Sequence, residues 1–315
     1  MKDNYNSFWP VYKNLESETI QISKYISFTH KQLDVYSMTI ADLIIRIVIE
    51  IEDISKELYK TNGGNTNLTD ENGKNRKLYF DTDCINYLNT IWHICNREIV
   101  ISNPNFKFIE DDAIITPLKK ANKSGDKSAD WNRAYQALKH DRRNNIEKGN
   151  IKSLIRALGA LYILNIYYKE ISITGLKSDY LRSDNDERLG SDIFSVRVFD
   201  ATKLISKNQN YYNSLSDEDK RLFDKSIIIY KYPDTAYESV LNAIDDYNSI
   251  LNKKVIDEIK KQKIKIEKLT DDEITDIISD KKTEIIKKLP PVELGKLMSN
   301  SEREIILNKN QDLYK

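Results

Sequence analysis

Arg133 and His140 lie seven residues apart in the run Trp131-Asn132-Arg133-Ala134-Tyr135-Gln136-Ala137-Leu138-Lys139-His140-Asp141-Arg142. In a helix, seven steps of about 100° make two turns less roughly 20°, so both side chains share one face. Gln136 falls between them on that stripe and Asn144 extends it, while Ala134, Tyr135, Ala137 and Leu138 can turn to a core. An imidazole near neutral pH can take a proton from one oxygen and return it to another. A guanidinium stays charged and forks onto phosphate oxygens. Together they can hold a phosphodiester, move its protons and stabilise charge developing on the phosphoryl oxygens. The matching reaction is attack of an RNA 2′-hydroxyl on the adjacent phosphorus, which DNA cannot perform. The same residue types also suit a solvated helix face.

Around this stripe the charge is concentrated. Residues 119 to 156 hold eleven basic and four acidic side chains, inside a chain whose 49 basic and 49 acidic residues cancel. A cationic segment in a neutral protein is the footprint expected of a polyanion binder. Lys139, Arg142 and Arg143 are placed to contact phosphates or to form a generic cationic surface. Trp131 and Tyr135 can pack, or stack on a base. Glu50, Glu52 and Asp53 form the nearest acidic cluster and can orient Arg133 or His140 across a helix pair, or simply face solvent. Cys84, Cys95 and His93 do not complete a tetrahedral zinc set, and Asn62-Gly63-Gly64-Asn65 lacks the Lys-Ser/Thr of a phosphate-binding loop. No metal or cofactor site is read.

The elements that must carry the stripe follow from periodicity. Residues 14 to 60 read as helix, with Ile40, Leu43, Ile44, Ile47, Val48 and Ile51 on one buried face. Asp83 is a cap for a helix running to about Val100, and Ser128 or Asp130 for one from Trp131 to about Asn145. Ile151 to Ser172 is the most apolar helix and the expected centre of the core. Beyond residue 175 the texture changes. Ser183 to Glu187 reads as a polar loop, Ile193 to Phe199 and Ile227 to Tyr232 as strands, and Ser216 as a helix start. Ala236 to about Lys288 reads as helix with breaks near Thr270 and Ser279, stopped by Pro290-Pro291. Lys263, Ile266 and Leu269 belong to its amphipathic stripe, and the tail after Ser299 reads as polar and fraying.

The 315 residues suggest about two domains, here 1–175 and 176–315. Nine Gly and six Pro argue against a many-turned sandwich. Two Cys exclude a disulfide scaffold and favour a reducing compartment. Met1 to Pro10 has no secretory pattern, and Leu154 to Tyr168 is too short to span a bilayer. The expectation is a cytoplasmic protein with no membrane partner. Its fold class is mainly α, a helical bundle followed by an α+β region with a short β hairpin or small sheet and long helices.

The Arg133-x(6)-His140 spacing resembles the Arg-x(4–6)-His motif of the HEPN superfamily. So does the phrase Tyr135-x-x-Leu138-Lys139-His140-Asp141-Arg142, followed by Gly149-Asn150 and the apolar helix ending Leu164-Asn165-Ile166-Tyr167-Tyr168. The resemblance covers roughly residues 30 to 172. The residue after the motif arginine, often polar in the family, is Ala134 here. The resemblance implies an HEPN-like helical domain acting as a metal-independent, cofactor-free endoribonuclease of bacterial anti-phage defence, abortive infection or toxin systems. It implies a homodimer whose composite site pairs Arg133 and His140 of each subunit, with RNA as substrate and a regulatory protein partner or antitoxin. The alternative is a non-catalytic binding or dimerisation module in a defence complex.

Overall fold

The computed structural model describes residues 7–170, 176–177, 188–203, 211–261, 271–287, 303–310 and 313. It is mainly helical with two small sheets. Helix α1 (Phe8–Ser23) is followed by α2 (Met38–Thr61), and a π-helical turn at Phe80–Ile85 leads into α3 (Asn86–Trp92). Strand β1 (Ile99–Ile101), the one-turn α4 (Glu110–Ala113) and β2 (Ile114–Ile115) precede α5 (Asp130–Asp141) and α6 (Ile151–Tyr168). Then come β3 (Leu176–Lys177), β4 (Phe194–Val196), β5 (Val198–Asp200), the single turn α7 (Tyr211–Ser214) and α8 (Asp217–Lys225). Strand β6 (Ile228–Lys231), α9 (Asp234–Lys261), α10 (Asp271–Ile286) and β7 (Glu304–Leu307) follow.

Helix α6 is the hub of the bundle. All but a few of its side chains are buried, and α1, α2 and α5 pack around it. The Asn150 side chain caps it by accepting from the Ser153 N–H at 3.0 Å. Helix α2 turns Ile40, Leu43, Ile44, Ile47, Val48 and Ile51 inward, the face that the sequence spacing predicts.

The helix expected over residues 14 to 60 is two helices. Between them, the stretch 33–37 bonds to the turn before α6: Ser37 N donates to Gly149 O at 3.3 Å, and Ile151 N donates to Val35 O at 3.0 Å. Ser37 then caps α2 through Ile40 N at 3.1 Å. The helix expected to reach Val100 stops at Trp92, where His93 takes a left-handed φ of 52°. The chain instead enters β1, which lies between β2 and β4 in an antiparallel sheet. Here pairing partners distant in sequence override local helical spacing.

The second sheet has the order β3-β7-β6-β5, with β5 and β6 parallel and β7 antiparallel to both its neighbours. The tail predicted to fray therefore supplies an inner strand: Ile305 and Leu307 are buried, while Glu304 and Ile306 are half-buried. Strand β6 matches the second apolar run read from the sequence, whereas the first, Ile193 to Phe199, is not one strand but two, β4 and β5, which pair into different sheets. Ser216 caps α8 through Asp219 N at 3.1 Å. One hydrophobic core crosses the boundary at residue 175, joining α2 and α6 to Ile193, Phe194, Val196, Ile228, Ile305 and Leu307. The polar loop 183–187, the break near Thr270, the stripe residues Lys263, Ile266 and Leu269, and the Pro290-Pro291 stop lie outside the described residues.

Arg97 ties the halves together. Its side chain is fully buried. Nη2 donates to Trp92 O at 2.5 Å and to Asn308 O at 2.9 Å, Nη1 to Asp224 O at 2.7 Å, and Nε to the Tyr167 hydroxyl at 3.1 Å. Removing the guanidinium strands several buried carbonyls at about 1–3 kcal/mol each. Arg97→Ala is accordingly expected to destabilise the protein by at least about 3 kcal/mol in urea denaturation; a loss under about 1 kcal/mol would show that the hub is dispensable.

Candidate functional site

Helix α5 buries Trp131, Asn132, Ala134, Tyr135 and Leu138. Trp131 is fully enclosed, and its Nε1 donates to Pro117 O at 2.8 Å. Both Trp131 and Tyr135 are thus packing residues, and neither offers a face to a base. With that side anchored, Arg133, Gln136, Lys139 and His140 are exposed on the opposite side. Beyond the helix, Arg142 is half-buried, and Arg143 and Asn144 are exposed. Asn144 is spent locally, its Nδ2 donating to Asp141 Oδ2 at 2.7 Å. The helix begins without a side-chain cap at Ala129. Ser128 Oγ instead accepts from Asn132 Nδ2 at 2.8 Å, and Asp130 Oδ1 from Trp131 N at 2.9 Å.

Arg133 and His140 share a face but do not converge within one chain. Seven residues at 1.5 Å each separate them by about 10.5 Å along the axis. Arg133 Nη1 donates backwards, to Asp126 O at 3.0 Å and Ser128 O at 2.7 Å, drawing the guanidinium toward the N-terminal end of α5. His140 stands near the other end.

Across the helix pair, Glu52 is the acid bonded to α5. It accepts from the Tyr135 hydroxyl at 3.1 Å, and that oxygen accepts from Lys139 Nζ at 3.2 Å. Burial pushes the Tyr135 phenol up, against the pull of Lys139, while the hydrogen bond to Tyr135 raises Lys139 and holds it charged. Among the described residues, no hydrogen bond or ion pair joins Glu50 or Asp53 to Arg133 or His140. Glu50 is half-buried, and burial together with repulsion from Asp53 pushes its carboxyl up.

A cavity of about 420 Å³ opens beside Arg133, with Lys119, Lys120, Arg156 and Asp130 also at its wall. Arg156 of α6 is ion-paired to Asp130. Lys119 and Lys120 stand out in the sequence as a cationic run. Arg156, 26 positions from Asp130, gives no local signal that it belongs here. Among the described residues no group of three or more His, Cys, Asp or Glu is placed to hold a metal ion. No helix among them is long and apolar enough to cross a membrane.

With the geometry in place, comparison with known proteins adds no relative. No protein-family model, curated protein or solved structure matches the chain. The HEPN resemblance rests on the motif residues alone.

Two outcomes follow from the environment of these groups. A carboxyl whose folded pKa is raised favours the fold when protonated and loses that contribution as pH rises from its unfolded value through its folded one. Glu50→Gln is therefore expected to be neutral in acid and slightly stabilising at neutral pH, by under about 1 kcal/mol after solvent screening. Thermal melts at the two pH values check it, and destabilisation at neutral pH would contradict it. Burial pushes the Cys84 and Cys95 thiols up to about 12. Neither is expected to react with an aromatic disulfide reagent at pH 8 until denaturant is added, and prompt labelling of the native protein would contradict that.

Proposed function

We propose that this protein is a metal-independent endoribonuclease of HEPN type, acting in bacterial anti-phage defence, abortive infection or as a toxin. The observation that carries the reading is the exposure of Arg133, Gln136 and His140 along one side of a helix whose other side is buried in the core. None of these polar side chains is buried, and they stand in the cationic segment of the chain.

The reaction divides between two copies of the chain. Arg133 is drawn back toward Asp126 and Ser128, away from His140, which stands about 10.5 Å further along the axis. Two copies meeting along their α5 stripes bring the arginine of each toward the histidine of the other. One imidazole then takes the proton of the ribose 2′-hydroxyl as its oxygen bonds to phosphorus. The other gives a proton to the departing 5′-oxygen, leaving a cyclic 2′,3′-phosphate and a 5′-hydroxyl end. The guanidinium groups balance the charge that builds on the non-bridging oxygens, and Lys139 and Arg143 contact flanking phosphates.

A second reading is favoured by one observation, the turn of Arg133 back onto the carbonyls of Asp126 and Ser128. An arginine used to close its own loop suits a non-catalytic binding or dimerisation module. Incubating the full chain with RNA in EDTA separates the two. For a nuclease, cleavage yields cyclic-phosphate ends and falls about 100-fold or more in His140→Ala, with Arg133→Ala also impaired. Equal cleavage by wild type and His140→Ala would overturn the nuclease assignment, and RNA binding with no cleavage would favour the module.

A further inference from the structure

We infer that the cavity at the start of α5 is a binding site for the phosphate-bearing end of a nucleotide. Four cations, Lys119, Lys120, Arg133 and Arg156, stand at its wall against the single carboxylate Asp130. That carboxylate is already engaged, by Arg156 on one oxygen and by the Trp131 N–H on the other. The excess of positive charge converges from three separate parts of the chain: the loop before α5, α5 itself and α6. It is therefore a built concavity rather than a run of surface lysines. Guanidinium and ammonium groups together are the pairing that recognises phosphate oxygens. A volume near 420 Å³ lies within the range of sites for small organic ligands.

The rest of the wall suits the body of such a ligand. Ile114, Ile115 and Pro117 give the cavity an apolar side. A smaller hollow of about 110 Å³ shares Ile114, Ile115 and Arg156 with it and continues to Leu33, Phe108 and Asp112. The hollow adds Phe108 and the Asp112 carboxylate, an aromatic ring and a hydrogen-bond acceptor of the kinds a base uses, with Lys152 also at its wall. Lys120 holds a left-handed φ of 65°, unusual for a residue with a side chain, where the loop turns at the mouth. A strand of RNA and a free nucleotide carry the same phosphate chemistry, and either can supply the ligand. The cavity shares Arg133 with the α5 stripe but needs neither His140 nor a second subunit.

Isothermal titration of the full-length protein with ADP, with adenosine, and with short RNAs bearing either a 5′-phosphate or a 5′-hydroxyl tests the site. The paired variant Lys119→Gln with Lys120→Asn removes two exposed cations without touching the core, and asparagine tolerates the left-handed position. For a free nucleotide, ADP binds at least about tenfold more tightly than adenosine, and the paired variant loses at least about tenfold. For an RNA end, ADP does not bind, and the phosphorylated RNA exceeds its hydroxyl twin by a similar factor that the paired variant abolishes. Equal binding of ADP and adenosine together with equal binding of the two RNAs overturns the assignment. So does phosphate-dependent binding that is unchanged in the paired variant. RNA cleavage without phosphate-dependent binding removes this site and leaves the nuclease reading standing. Phosphate-dependent binding lost in the paired variant, with no cleavage, does the reverse.

Discussion

A single buried cation organises this molecule. The Arg97 guanidinium is sealed from water, and it donates to backbone carbonyls and one phenol. Two of those carbonyl sets lie at the C-terminal ends of α3 and α8, where the peptide dipoles leave partial negative charge. The charge is thus met by oriented dipoles instead of an ion pair. The arrangement works only if both helix ends and the strand segment at Asn308 arrive together. Tyr167 of α6 completes the ring by donating to Asn308 O at 2.7 Å while accepting from Arg97. The central helix of the bundle is thereby fastened to the second sheet.

The α5 stripe inherits its position from that frame. Helix α6 is held at one end by Tyr167, and near its start it offers Arg156 to Asp130, fixing where α5 begins. Trp131 and Tyr135 fix the rotation of α5 through Pro117 and Glu52. The turn leading into α6 is pressed against α2 so closely that a Cβ at Gly149 would stand 2.6 Å from the Ala41 Cβ. A side chain there would push α6 off α2 and tilt the stripe with it. The exposed polar groups can therefore be reactive in type without being loose in placement.

Much of this was legible in the residues, and the limits are physical. The apolar face of α2, the continuous apolar run of α6 and the strands at Phe194–Val196 and Ile228–Lys231 carry their periods in the local sequence. So does the inward face of α5 at Ala134, Tyr135 and Leu138, although Ala137, read with them, is only half-buried. What the sequence hid depends on partners far along the chain. The break between α1 and α2 is held open where Leu33, Val35 and Ser37 bond to the α5–α6 turn and Phe28 to Lys107. His93 ends α3 by backbone twist and β1 replaces the expected helix because β2 and β4 flank it. Strand β7 looks like polar tail until β6 is beside it. At the site, Glu52 and not Glu50 or Asp53 bonds to Tyr135 of α5, a difference of one or two residues that spacing alone does not resolve. Arg156 joins the cationic wall from another helix, with no local mark.

The inner placement of β7 has a consequence during synthesis. A ribosome adding roughly 5–20 residues per second delivers Arg97 well before Asn308, 211 positions later, an interval of roughly 10–40 s. Until Asp224 is made the Arg97 guanidinium lacks the α8 carbonyls as well as Asn308 O, and once β6 is made its edge stays open until β7 docks. The cationic stripe therefore sits on an unlocked scaffold until β7 is made, and the finished geometry is reached only in chains translated past Asn308.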